Sequence, residues 1–314
     1  MRRNSRCSLR LTRAQVQLLM ENDVDFDKII LALGRASYWD RRRFLRHKIK
    51  PNYPRFLYRY RPIDLEHPES SVHLRDVLVH SRLWLSAPID FNDPFDMTGR
   101  VVLTGSGKDV RDRIAKLVKN QRADLKWKYR KAEVERLMRD WPEKLPAVLQ
   151  TSIDKSLANV GVCSFSADSR NIQMWSHYAS DHRGIVLQFE VARDPQVFLK
   201  AIPVEYDDQY PLLDWVGGSG GDLRKAILRK HSGWRYERER RIIEINLAHT
   251  YLSFKPEALT GIIFGCRVDS TTRAVIQKLL AERHEHGSSS VSLYEARKHP
   301  SRFKIVIHGA DDLK

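Results

Sequence analysis

Cysteine is scarce: Cys7, Cys163 and Cys266 are the three in the chain, and they stand far apart. No two have the spacing of paired ligands, so neither a disulfide framework nor a cysteine zinc site is supported. A reducing cytoplasm is the expected compartment. Apolar runs long enough to cross a bilayer are missing, and the opening Met1-Arg2-Arg3-Asn4-Ser5-Arg6 lacks the apolar stretch of a secretory signal. A soluble, unexported protein with no membrane partner is expected. Internal repeats and low-complexity tracts are absent as well. The glycine-rich run Gly217-Gly218-Ser219-Gly220-Gly221 lacks the Lys and Ser/Thr of a phosphate loop. A Ser or Cys hydrolase finds no nucleophile elbow or supporting base.

What the chain does have is positive charge: a net +16 over 314 residues, with 42% hydrophobic residues. That length and composition can bury a real core, in one large domain with an appendage or in two modest domains. The charge favours polyanionic partners, nucleic acid among them, without choosing one.

The opening part, residues 1–55, reads as a basic helical prefix and linker. Thr12 is a fair N-cap, and Phe26, Ile29, Ile30 and Leu33 recur at helical spacing. A second helix carrying Arg41, Arg42, Arg43, Arg46 and Lys48 runs to Pro51 and Pro54. Its basic face suits phosphate, and a solvated face serving solubility fits equally well. From residue 56 to 314 strands and helices mix without regular alternation, which predicts an α+β domain. Phe56 to Arg61, Leu83 to Ser86, Val160 to Ser166, Ile185 to Phe189, Gly261 to Gly265, Val291 to Ala296 and Phe303 to Ile307 read as strands. A charged helical insertion is expected at about 107–157, with Pro142 and Pro146 ending its long helix and another helix over Ala147 to Leu157.

One stretch stands apart, His231 to Ile245, which crowds Glu237, Glu239, Arg240 and Arg241 ahead of β-branched residues. Read as extended chain, it places Glu237, Glu239, Arg241, Ile243 and Ile245 on one face, so two carboxylates continue an apolar surface. A surface charge ladder gives the same pattern. Asp90, Asp93 and Asp96 in the turn-rich loop after Ser86, with Glu237 or Glu239, are the raw material of a magnesium-dependent nuclease. His177, His182 and His231 fit no common zinc spacing, and no metal is assigned.

Four blocks carry a resemblance. They are Leu57 to Arg61, Leu83 to Pro88 with Phe91 to Phe95, Cys163 to Ser166 with Met174 to Tyr178 and Gly184, and Trp234 to Arg240. In that order they resemble the domain of unknown function 2971 family, whose name carries no activity. More distantly, the succession of an arginine between aromatics, a Ser-Phe-Ser strand and a Glu-x-Glu pair is similar to the ADP-ribosyltransferase superfamily. That resemblance implies split antiparallel sheets gripping NAD, with inserted helices here and a helical N-terminal prefix. It implies that Arg59 or Arg61 holds the dinucleotide, that Ser164 or Ser166 shapes the nicotinamide pocket, and that Glu237 or Glu239 is the catalytic acid. Tyr60, Trp175 and Tyr178 are aromatic candidates for stacking on nicotinamide or adenine, although core packing accounts for such residues too.

The chemistry suits these residue types. Breaking the ribose–nicotinamide bond builds oxocarbenium character that a carboxylate stabilises, and an arginine fork binds diphosphate oxygens bidentately. The expected function is therefore NAD-dependent ADP-ribosyl transfer to a macromolecule, nucleic acid included. The family context extends to toxin and phage-defence effectors. The alternative from another class is a non-enzymatic nucleic-acid-binding module.

Overall fold

The computed structural model describes residues 33–46, 53–63, 68–139, 141–217 and 221–309. The expected prefix helix from Leu9 onward lies mostly outside them. Its described part is α1 (Tyr38–Phe44), capped by the Ser37 hydroxyl on the Asp40 amide. Leu33 and Phe44 are buried in the principal core, so this part of the prefix packs into the main fold. Arg41 donates to the Ala36, Ala192 and Arg193 carbonyls, which takes one arginine of the expected phosphate face into structural bonds.

In chain order there follow β1 (Phe56–Arg61), α2 (Pro68–Leu78), β2 (Arg82–Leu85) and β3 (Arg100–Val102). Next come α3 (Gly107–Gln121), α4 (Trp127–Met138) and α5 (Trp141–Ala158), then β4 (Gly161–Ser166), α6 (Ile172–Tyr178) and β5 (Ile185–Glu190). After α7 (Pro195–Phe198) stand β6 (Ile202–Pro203), β7 (Glu205–Tyr206), β8 (Leu212–Asp214), α8 (Gly221–Leu228) and β9 (Arg229–Lys230). The chain continues with β10 (Glu239–Glu244), β11 (Thr250–Ser253), β12 (Leu259–Phe264), α9 (Ser270–Glu285), β13 (Ser292–Lys298) and β14 (Ile305–His308).

The fold is mixed α+β. An eight-stranded sheet has the order β14-β13-β12-β5-β1-β4-β10-β6. Its ladders are antiparallel except for the parallel pair β12 and β13. Instead of two separate antiparallel sheets, these eight strands run on as one sheet with a weak seam, and β11-β2, β3-β8 and β7-β9 form three two-stranded ladders beside it. β1 pairs with β5 along its whole length from Phe56 to Arg61, yet it pairs with β4 through the single partners Tyr58 and Ser166. Leu57, Leu187, Phe189 and Ile262 face the principal core with residues of α2 and α9. Tyr58, Tyr60, Val186 and Ile263 face a second core that includes Met174 and Trp175 of α6.

The helical insertion is present and has its own core of Val110, Ile114, Val134 and Leu149 against Val101 and Leu213. Its third helix differs from expectation. Pro142 and Pro146 lie inside α5. Proline near a helix start costs little because first-turn amides lack intrahelical acceptors, so Pro142 does not stop the helix. The run from His231 also departs from an extended strand: Ser232–Glu237 is a 3-10 turn, Arg238 adopts a left-handed φ of 47°, and only then does β10 begin. Ile242 is buried in the principal core, and Ile243 packs, partly buried, against a smaller cluster of Met97, Val160, Val162 and Ile227. No described helix is long and apolar enough to cross a membrane.

Candidate functional site

Where β1 leaves β4, a cavity of about 470 Å³ opens, within the usual range for small-molecule clefts. Arg59, Tyr60 and Arg61 line it from β1, Ser164 and Ser166 from β4, and Tyr178 from the end of α6. Glu237 and Glu239 line it from the turn and start of β10. Eight of the nine residues expected from sequence thus share one cleft. Trp175 is the exception. It is fully buried, crosses Tyr60 edge-on at 5.4 Å between ring centroids and donates its indole N–H to the Ser169 carbonyl. It is a core residue that seats α6, because the middle of that short helix faces the sheet while its C-terminal end reaches the rim.

The α6 helix is placed by its cap. The Asn171 side chain accepts from the Met174 amide and donates to the Tyr236 carbonyl, joining the helix to the Glu237 turn. His177 Nδ1 meets the Tyr236 hydroxyl at 2.9 Å across the same junction. Ser166 is buried, and its hydroxyl donates to the Glu237 carbonyl at 2.6 Å. That bond fixes the turn and makes Ser166 a positioning group. Gly184 matters at the other end: a Cβ there would lie 2.3 Å from the Arg61 carbonyl, so β5 approaches the end of β1 this closely only with glycine.

The two glutamates have different surroundings. Glu239 accepts from Arg241 Nε at 2.8 Å and from its terminal nitrogen at 3.0 Å, and from Lys230 Nζ at 3.2 Å. Arg241 is completely buried and also forks onto Asp96, with 2.9 Å for one of the two bonds. Burial alone would raise Glu239, but the charges of Arg241 and Lys230, with hydrogen bonds from Arg241 and Ser164, hold its carboxyl well below the usual range. Glu237 accepts one bond from the Tyr178 hydroxyl at 2.6 Å and one from Lys230 Nζ at 2.7 Å. Its carboxyl is pushed up by burial, which outweighs the Lys230 charge, and by repulsion from Glu239. Burial and the Glu237 charge in turn push up the Tyr178 hydroxyl, so it stays a donor. Lys230 stays protonated: burial would lower it, but Glu239, Glu237 and Asp96 raise it more.

Across the cleft the charge is positive. Arg59 donates to Cys163 Sγ at 2.9 Å, and neither Arg59 nor Arg61 forms an ion pair among the described residues. Burial and repulsion by Arg59 lower Arg61 to about 10, still protonated near neutrality. Two cations thus line the cavity with no carboxylate of their own, and such guanidinium groups can bind anionic oxygens.

The sequence left Lys230 and Arg241 out of the site, and Asp96 entered only as a metal ligand. Among the described residues no group of three or more His, Cys, Asp or Glu is arranged to hold a metal ion. Asp96 and Glu239 are bridged by Arg241, Asp90 meets His249 at 2.9 Å, and Asp93 accepts from the Phe95 amide. His182 stacks on Trp175 and His231 lies at the surface beside Asp208. The signal that would have found Lys230 is its place immediately before the polar stretch. Comparison of the chain with protein-family models, with curated proteins and with solved structures gives no match.

Proposed function

We propose that this cleft binds NAD and that the protein transfers ADP-ribose from it to a macromolecular acceptor, the seam between β1 and β4 serving as the split of an ADP-ribosyltransferase sheet. The observation carrying this reading is the opposition of unpaired Arg59 and Arg61 to the Glu237 carboxylate within one cavity. In this reading the arginines take the diphosphate, and Tyr178 flanks the nicotinamide side.

Of the two glutamates, Glu237 is the catalytic group. Glu239 has its oxygens committed to Arg241, Lys230 and Ser164, whereas Glu237 retains lone pairs beyond those used by Tyr178 and Lys230. Held by those two donors, it orients a ribose hydroxyl and opposes the positive charge that develops as nicotinamide leaves. Its raised pKa makes the ionised form a stronger acceptor. Glu239 and Asp96 hold the cations that position it.

The test is calorimetric titration with NAD alongside nicotinamide release. Wild type is expected to bind and turn over. Glu237→Gln is expected to bind NAD with turnover reduced at least about a hundredfold, the scale of losing one well-placed electrostatic group. No NAD binding by wild type, with nucleic acid bound instead, returns the protein to a binding module.

A further inference from the structure

A second cavity, of about 510 Å³, lies on the other side of Lys230, whose side chain lines both. The ammonium sits 2.7 Å from Glu237 Oε2 and 5.0 Å from the centroid of the Trp234 ring, so one group separates carboxylate from indole. Phe95 and Tyr210 line the same cavity and are 65% and 46% exposed, more than such rings retain when they serve a core. Neither stacks on another ring among the described residues. The carboxylates in its wall already have partners: Asp207 pairs with Arg229 at 3.5 Å, Asp208 with Ser232 and His231, and Asp93 with the Phe95 amide. The cavity therefore offers open aromatic faces among mixed hydrogen-bond donors and acceptors.

We propose that this cavity receives a nucleobase of single-stranded nucleic acid, which is the acceptor, a proposal that rests on the donor reading of the first cleft. Flat, uncharged, hydrogen-bonding rings match the walls, and stacking on exposed aromatics is how single strands are held. The chain's net charge of +16 draws in the phosphates, and exposed Arg235 and Arg238 flank the turn that carries Glu237. A basic peptide meets the opposite field. In the transfer, the bond from ribose C1′ to nicotinamide breaks and nicotinamide leaves with its electron pair. A nitrogen of the next base along that strand, which enters the first cleft beside Glu237, forms the new bond to C1′, and the proton it carried passes to the Glu237 carboxylate.

The experiment measures binding of a fluorescent single-stranded oligonucleotide, as DNA and as RNA, and of the abasic strand of equal length. Phe95→Ala and Tyr210→Ala, both at exposed positions that tolerate truncation, are expected to weaken the base-bearing strand at least about fivefold each, the lower end for losing one stacked base. Binding of the abasic strand is expected to stay unchanged. Equal loss for both strands, no loss for either, or no binding by wild type overturns the proposal. Titrating NAD into the wild-type samples separates the two readings. Base-dependent strand binding without NAD binding removes the donor assignment and keeps the base site.

Discussion

Exchanging each glutamate of the pair for glutamine is expected to give opposite outcomes in stability. In Glu239→Gln the amide keeps one carbonyl oxygen where the carboxylate received two bonds from Arg241 and one from Lys230. Two charge-assisted bonds are lost, each worth about 1.5–3 kcal/mol. Arg241 is completely buried but keeps Asp96, so the loss falls near the lower end of the ~3–5 kcal/mol for breaking a buried pair. A cost of about 3 kcal/mol corresponds to a fall of roughly 6–12 °C in Tm, at the ~2–4 °C per kcal/mol of domains of this order of size. In Glu237→Gln, Lys230 keeps Glu239 and Asp96, and the replaced carboxylate was itself disfavoured by burial. Its stability is expected to remain within about 1 kcal/mol of wild type. Urea and thermal unfolding of both variants, followed by circular dichroism, decide the matter. Equal stability of the two, or a larger loss in Glu237→Gln, refutes the division into a structural and a functional carboxylate.

Replacing Arg59 with Gln is expected to weaken NAD binding by about tenfold or more, the loss of one charge-assisted contact, with Tm little changed because no carboxylate is orphaned; calorimetry and melting read both. The glutamates also pull the pH dependence in opposite directions. Glu239 ionises in the unfolded chain near 4.5 and far lower when folded, so its stabilisation is complete above that pH and drains away as the pH falls. Glu237 holds its proton to higher pH when folded than unfolded, so its contribution declines as the pH rises from about the usual 4.5 through its raised value. Unfolding free energies measured across acid pH should show Glu239→Gln with a flattened acid limb and Glu237→Gln without the decline at higher pH; nicotinamide release should rise with pH as Glu237 ionises.

Much of this protein follows from local sequence. Runs of aliphatic and aromatic residues mark β5 and β12, which are buried on both faces, whereas β1 and β4 alternate such residues with the arginines and serines of the cleft. Asn171 before the Met174-Trp175 pair marks the start of α6, since its side chain answers an amide that the helix cannot. The polar stretch identified Glu237 and Glu239 as neighbours, although a 3-10 turn and the left-handed Arg238 bring them together instead of strand alternation. Which carboxylate is free could not be read there, because the pairing of Arg241 with Glu239 and Asp96 joins positions 145 residues apart. Trp175 and Tyr178 are equivalent by residue type, and only the packing of α6 on the sheet sends one into the core and the other to the cleft. Tertiary structure likewise decided the seam: strand sequences set which faces are apolar, but where two strands part is fixed by what packs around them. The chain's own pattern therefore determined the residue types of the site, and long-range packing of charge in a low-dielectric interior determined their roles.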